Sequence, residues 1–185
     1  MRFRLLEAFE DDDFVSDEQE FSSAATSINS SKLPAVFKMV KFKPGTVNLD
    51  YGGGRFDNAT EFLAKSNVTN LIFDKFNRDA KHNSEVIKQI RNNGGADTAT
   101  CSNVLNVIKE RSIRVNEVIK NIYNMLKPNG IAYFTVYEGS GAGNSGATKA
   151  GYQLNKKTAE YVEEIQEVFG ENSVQRKGKL IVAKK

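Results

Sequence analysis

Val47-Asn48-Leu49-Asp50-Tyr51-Gly52-Gly53-Gly54-Arg55-Phe56-Asp57 reads as a strand that enters a glycine turn, with a helix leaving it. The strand, Thr46–Asp50, is short, mainly apolar, and ends on an acid. The glycines let the backbone turn tightly and let a ligand approach where a Cβ would clash. Beyond the turn, Asp57–Lys65 sets Ala59, Phe62 and Leu63 on one helical stripe. Twenty residues after Gly54, Asn70-Leu71-Ile72-Phe73-Asp74 forms a second strand that also ends on an acid. A carboxylate at that point accepts hydrogen bonds from both hydroxyls of a ribose. A glycine turn alone has a purely steric explanation. Turn, spacing and acid together predict a nucleoside-type cofactor.

The chain on either side supports the same architecture. Leu33–Lys41, opened by Pro34, reads as a short helix broken by Pro44-Gly45. Ser84–Arg91 carries Val86, Ile87 and Ile90 on one face and closes at Asn92-Asn93-Gly94-Gly95. Asp97–Ser102 is a third strand. Val115–Leu126 is an amphipathic helix stopped by Lys127-Pro128-Asn129-Gly130, and Ile131–Tyr137 is a strong strand. Glu138–Gly151 reads as a glycine-rich loop. Thr158–Phe169 is the last long helix, and Ser173–Gln175 with Leu180–Ala183 supply closing strands. Alternating strands and helices predict an α/β fold, a parallel sheet with helices on both faces. Ligands then bind beyond the carboxyl ends of the strands.

The 185 residues suit one domain, residues 33–185, preceded by an extension over residues 1–32. The extension opens with an acidic run from Glu10 to Glu20 and continues into a stretch rich in Ser, Thr, Ala and Asn. A formal charge of +3 does not by itself argue for nucleic acid, which remains a partner without a specific signal. The lone Cys101 excludes an internal disulfide and fits a reducing, cytoplasmic compartment. Cys101 has no ligand cluster with the single His82, so no metal is expected. The amino terminus runs into acid instead of an apolar segment and no run of ~18 apolar residues occurs, so neither signal peptide nor membrane span is expected. Cys101 reads as a buried apolar residue, and His82 as an exposed helix-start residue.

Three glycines with Asp50 before them give acid-x-Gly-x-Gly, not the G-x-G-x-x-G of dinucleotide sites. This resembles motif I of class I S-adenosylmethionine-dependent methyltransferases, and Asp74 resembles their ribose-binding acid. Asp97-Thr-Ala-Thr-Cys-Ser-Asn-Val-Leu-Asn-Val-Ile108 is similar to the family's fourth strand and the turn after it. Met125-Leu126-Lys127-Pro128-Asn129-Gly130 with Ile131–Tyr137 resembles its "LKPGG" helix end and fifth strand. The resemblance spans residues 46–137. It is nearest to small methyltransferase-like proteins of mobile elements and DNA phosphorothioation neighbourhoods, which carry a similar "D-Y-G-x-G" and "V-L-N-V-I". It implies a Rossmann-like sheet, S-adenosyl-L-methionine as cofactor, and methyl transfer to an acceptor that the motifs do not specify.

Two departures stand out. Phe56 replaces the third glycine of the fuller motif. Between Asp74 and Asp97 there is room for only a short helix, so the third strand, with its adenine-contacting acid, is reduced or missing. Asp79 and Asp97 are the candidates for that contact.

The resemblance makes Asp50, Tyr51, Gly52, Gly53, Gly54, Asp57, Asp74 and Asn103 the cofactor-binding candidates. Asn103 also stands where the family often lines the transfer site, although capping the next helix explains it equally well. Ser102-Asn103-Val104-Leu105 lacks the D/N/S-P-P-Y/F pattern of amino-directed DNA methyltransferases. In-line methyl transfer requires alignment and, for some acceptors, a base; Glu138, just past the fifth strand, is the candidate base. Tyr137, Tyr152, Gln153 and Asn155 are candidates for the acceptor, under a lid formed by Glu138–Asn155 with help from the chain before Lys32. Two rivals stay open. One is an S-adenosylmethionine-binding regulator without transfer activity. The other is an NAD(P)-dependent short-chain oxidoreductase, suggested by Tyr152-x-x-x-Lys156.

Overall fold

The computed structural model describes residues 18–26, 32–139 and 144–185. Within them the central sheet has six strands: β1 (Val47–Tyr51), β2 (Thr69–Phe73), β3 (Ala96–Ser102), β4 (Leu126–Thr135), β7 (Val174–Lys177) and β8 (Leu180–Lys184). Their order is β2-β1-β3-β4-β8-β7. The first four are mutually parallel, and β8 enters antiparallel between β4 and β7. After β1 the chain moves outward to β2 and then returns to the other side as β3. The order therefore reverses beside β1, the place where such sheets bind ligands.

The helices are α1 (Val36–Met39), α2 (Asn58–Ala64), α3 (Ala80–Asn92), α4 (Lys120–Met125) and α5 (Val162–Phe169). A π-helical segment, Ile113–Ile119, runs directly into α4. The larger core, with Leu49, Ile90, Ile119, Ile122, Phe134 and Ile165, lies between the sheet and α3, α4 and α5. A smaller one, with Val36, Phe37, Leu63 and Val68, lies under α1 and α2. No helix among the described residues is long and apolar enough to cross a membrane.

Among the described residues no strand lies outside β2, so the expected reduction of the third strand is seen. The α3 start covers that edge instead. Asp79 caps α3 by accepting the His82 amide at 2.7 Å. The His82 imidazole lies 2.8 Å from the Ile72 carbonyl, and the Asn83 side chain bonds both the amide and the carbonyl of Asp74. These contacts satisfy backbone groups that a missing neighbour would leave open. His82 is thus half-buried, not the exposed residue expected.

Several elements differ from the sequence reading. The expected helix over Leu33–Lys41 is cut to the four residues of α1. The helix expected from Val115 starts at Ile113 in π form. The glycine-rich stretch contains a hairpin, β5 (Gly146–Thr148) with β6 (Gly151–Gln153). The strand β1 is also less apolar than expected. Asn48 is fully buried and donates to Asn70 Oδ1 at 2.8 Å and Thr100 Oγ1 at 3.0 Å, while Thr98 donates to Asn48 Oδ1 at 2.7 Å. One sheet face thus carries a buried polar ladder that is internally satisfied.

Of the extension, residues 18–26 pack against the body. The Glu20 amide donates to Glu110 at 3.0 Å, Glu20 pairs with Lys109, and Phe21 lies 5.2 Å from the Tyr152 ring. The acidic run from Glu10 to Asp17 lies outside the described residues.

Candidate cofactor site

At the carboxyl ends of β1 and β3 lies a cleft of about 400 Å³. This is within the range of small-molecule pockets. Its floor is Asp50 to Gly54. One wall is Phe73 to Asn77, another is Ser102, Asn103, Val104, Val107 and Ile108, and Glu117 and Val118 close the back. Gln19, Ser23 and Thr26 form part of its rim.

The turn is held by the protein's own packing. Gly52 and Gly54 have φ of +73° and +78°, the left-handed region that favours glycine. A Cβ on Gly52 would lie 2.4 Å from Val104 Cγ2, and one on Gly53 would lie 2.5 Å from Asp50 Oδ2. Gly52→Ala should therefore cost about 2–4 kcal/mol by backbone strain plus overpacking. Val104→Ala in the same chain should recover the steric part and leave the φ penalty. Chemical denaturation of the two variants checks this, and an unaltered midpoint in Gly52→Ala would refute it.

Asp74 ties the turn to the loop after β2. Its Oδ2 accepts the Gly54 amide at 2.9 Å. Its Oδ1 accepts the Phe76 amide at 2.9 Å, the Asn77 amide at 2.8 Å and the Asn77 side chain at 3.2 Å. Arg78, which the motif reading overlooked, binds the Gly54 carbonyl at 2.9 Å and Asp57 at 2.8 Å. Asp57 therefore points outward in an exposed ion pair and does not line the cleft. Tyr51 lines it, but its ring stacks 5.0 Å from Phe73 and its hydroxyl accepts from Asn121 at 3.3 Å.

Asp50 is buried beneath the turn, where Thr100 donates to it at 3.0 Å. Burial, partly offset by the Thr100 and Asn70 hydrogen bonds, raises its pKa from 3.8 to about 7. The folded state then holds the extra proton. Asp50's contribution to stability is fully present below 3.8 and is lost as the pH rises toward about 7. Asp50→Asn should accordingly stabilise the protein more at pH 8 than at pH 5, read as the difference in melting temperature from wild type. A pH-independent difference would show that Asp50 does not titrate in this window.

Asn103 lines the cleft with φ of +58°, fixed by its amide donating to the Thr135 carbonyl at 2.9 Å. Other expected residues are drawn elsewhere. Glu138 is absent from the lining. Its Oε1 accepts the Thr158 amide at 2.9 Å and hydroxyl at 2.8 Å, and its Oε2 pairs with Lys179 at 3.2 Å. Those bonds hold its pKa down to about 2, which suits a cap and not a general base. Tyr137, Tyr152, Gln153 and Asn155 do not line the cleft either. The Gln153 side-chain Nε2 donates to the Tyr137 carbonyl at 3.2 Å, and Asn155 bonds Asn144 and Ser145 within the hairpin region. Among the described residues of Glu138–Asn155, Tyr152 backs residues 18–26 through its contact with Phe21, and none lines the cleft. Residues 140–143 of that expected lid lie outside the described residues.

Asn106 is a second residue that the motif reading left without a role. Buried in the "V-L-N-V-I" stretch, it accepts the Tyr137 amide at 3.3 Å and the Leu154 amide at 2.7 Å, and donates to Gln153 at 3.2 Å. It clamps the chain just after β4 to the hairpin while Val104 and Val107 face the cleft. Asp79 and Asp97 are both away from the site. Asp79 caps α3, and Asp97 binds the Val47 amide and Lys127 at the amino ends of the strands.

A family profile described as "Methyltransferase domain" matches residues 25–171. The chain belongs to this methyltransferase family. Solved structures share the fold of this methyltransferase at low sequence identity. The Burkholderia thailandensis 1,6-didemethyltoxoflavin-N1-methyltransferase, solved with 1,6-didemethyltoxoflavin and S-adenosylhomocysteine, superimposes with a TM-score of 0.54 at 18% identity, over 77% of this chain and 72% of that one. An S-adenosylmethionine-dependent methyltransferase from Mesorhizobium loti gives 0.52 at 10% identity, over 82% and 96%. No curated protein sequence matches the chain. Tyr152, the would-be acid of a dehydrogenase pair, sits on the hairpin and does not line the cleft.

Proposed function

We propose that this methyltransferase holds S-adenosyl-L-methionine in the cleft, with the ribose on Asp74 and the chain of the donor over the Gly52–Gly54 turn. The observation that carries this is the joint between turn and acid: Gly54 donates to one oxygen of Asp74, and the carboxylate lies at the cleft wall. The residues fit the donor. An acid meets a diol, left-handed glycines bare the backbone, and the cleft volume is that of a small-molecule site. When bound, the sulfonium supplies an electrophilic methyl group.

The chain's own part is to enclose and align. Val104, Val107 and Ile108 exclude water along one wall, and Asn103, in its fixed backbone conformation, presents an amide to the acceptor. Asn103 is here an orienting residue. Gln19, Ser23 and Thr26 add a polar rim, which favours a small acceptor held between the extension and the sheet. The kinship with small methyltransferase-like proteins of mobile elements is part of this proposal, supported by "D-Y-G-x-G" and "V-L-N-V-I". A cytoplasmic setting goes with it, since Cys101 is a buried free thiol.

Calorimetry with S-adenosylmethionine, S-adenosylhomocysteine and NAD+ tests the reading. Binding of the two adenosyl ligands without NAD+ is the expected result. Saturable NAD+ binding with neither adenosyl ligand bound would overturn it.

A further inference from the structure

Glu117 is a carboxylate to which the sequence reading gave no role. The structure buries it. It is 7% exposed, on the π-helical segment, at the back of the cleft. Its Oε1 lies 3.4 Å from the Lys75 ammonium. Lys75 directly follows Asp74, and Phe76, 36% exposed, lines the same end with Lys75 5.8 Å from its ring centroid. One end of the cleft thus presents a flat aromatic ring, a cation and a buried carboxylate beside the acid assigned to the ribose. The other end presents bare backbone and Asn103.

We infer that Glu117 reads the adenine of the donor, accepting a hydrogen bond from its exocyclic amino group, with Lys75 donating to a neighbouring ring nitrogen. This rests on the reading of the cleft as the adenosyl site. With the 2′- and 3′-hydroxyls on Asp74, the base, joined to the adjacent ribose carbon, falls on the Lys75–Glu117 side or the glycine side. On the glycine side the amide of Asn103 is the group that this reading gives to the methyl acceptor. The Lys75–Glu117 side offers both signs of partner. Asp79 and Asp97, the acids expected from the sequence, do not line the cleft and are held by other partners. Glu117 therefore replaces from a helix the acid that the missing strand does not supply. A buried carboxylate discriminates sharply, because a ligand that offers an acceptor instead of a donor sets two acceptors against each other away from water.

The test compares S-adenosylhomocysteine with S-inosylhomocysteine, in which a carbonyl oxygen replaces the amino group. Calorimetry on the full chain should show wild type preferring the adenine compound at least tenfold. Glu117→Gln, whose amide meets either edge, should bring the two within about threefold. Lys75→Met, which keeps a side chain of similar length in the cleft wall, should lower the preference at least threefold. Asp74→Asn should weaken both ligands alike and keep their ratio. Equal wild-type affinities, or an undiminished ratio in both Glu117→Gln and Lys75→Met, would overturn the assignment. If wild type bound neither compound, the adenosyl reading itself would fall and this one with it.

Discussion

Asp74→Ala is expected to remove most donor affinity and to lower the melting temperature as well. Two ribose hydroxyls bound by a charged acceptor are worth ~1.5–3 kcal/mol each, so their loss weakens binding by at least roughly a hundredfold. The stability effect comes from inside the protein. Asp74 is 6% exposed and accepts from Gly54, Phe76 and Asn77, so its removal strips the partners from three amides and frees two loops from each other. An acid at an open strand end needs no partners from the fold, whereas Asp74 joins two loops through these bonds. Asp74→Asn keeps the shape and an acceptor oxygen, so it should recover much of the stability but not the affinity. Calorimetry with S-adenosylhomocysteine and a thermal melt separate the two effects. Lowered stability with undiminished affinity would reduce Asp74 to a staple between loops.

The elements whose meaning is local were readable in the chain. A glycine turn between a strand and a helix, and an acid at the end of the next strand, carry their chemistry within a few residues. The reduced third strand was readable too, because too few residues separate Asp74 from Asp97 for both a helix and a full strand. Residues whose role depends on a distant partner were not. Glu138 stands at the ligand edge, yet Thr158, twenty residues on, claims its carboxylate. Glycines in the stretch after it suggested a loop, while the backbone pairs as a hairpin.

The polar positions Arg114, Glu117 and Asn121 were hidden by a strong apolar stripe. They recur at i, i+3 and i+7, which is itself a helical face, and all three are buried. Charged and amide residues at that spacing were the signal for a second buried face. Asn48, Asn70, Thr98 and Thr100 escaped notice for the same reason, since a parallel strand is expected to be apolar on both sides.

The first of these buried polar residues carries the other large effect. Arg114 donates Nε and Nη2 to the two carboxylate oxygens of Glu164 at 2.7 and 2.6 Å, and Nη1 to the carbonyls of Ile108 and Lys109, each at 2.9 Å. Both side chains are nearly sealed from solvent, 3% and 4% exposed. A bidentate, fully satisfied pair of this kind pins the π-helical segment to α5 and holds the 108–109 backbone in place. Arg114→Ala leaves a buried carboxylate and two carbonyls without donors, a loss of about 3–5 kcal/mol. For a chain of this size that is a fall of roughly 6–20 °C in melting temperature. Glu164→Gln keeps the packing and one acceptor, and should cost less. The double change Arg114→Met with Glu164→Leu should be milder than Arg114→Ala, because it removes both buried charges and leaves the two carbonyls as the unmet groups. Ile108 lines the cleft and Lys109 anchors Glu20, so Arg114→Ala should also weaken S-adenosylhomocysteine binding, by loosening a wall and not by losing a contact. A melting temperature within 2–3 °C of wild type, about 1 kcal/mol, would mean that water or backbone motion relieves the stranded carboxylate and that the pair does not hold the segment.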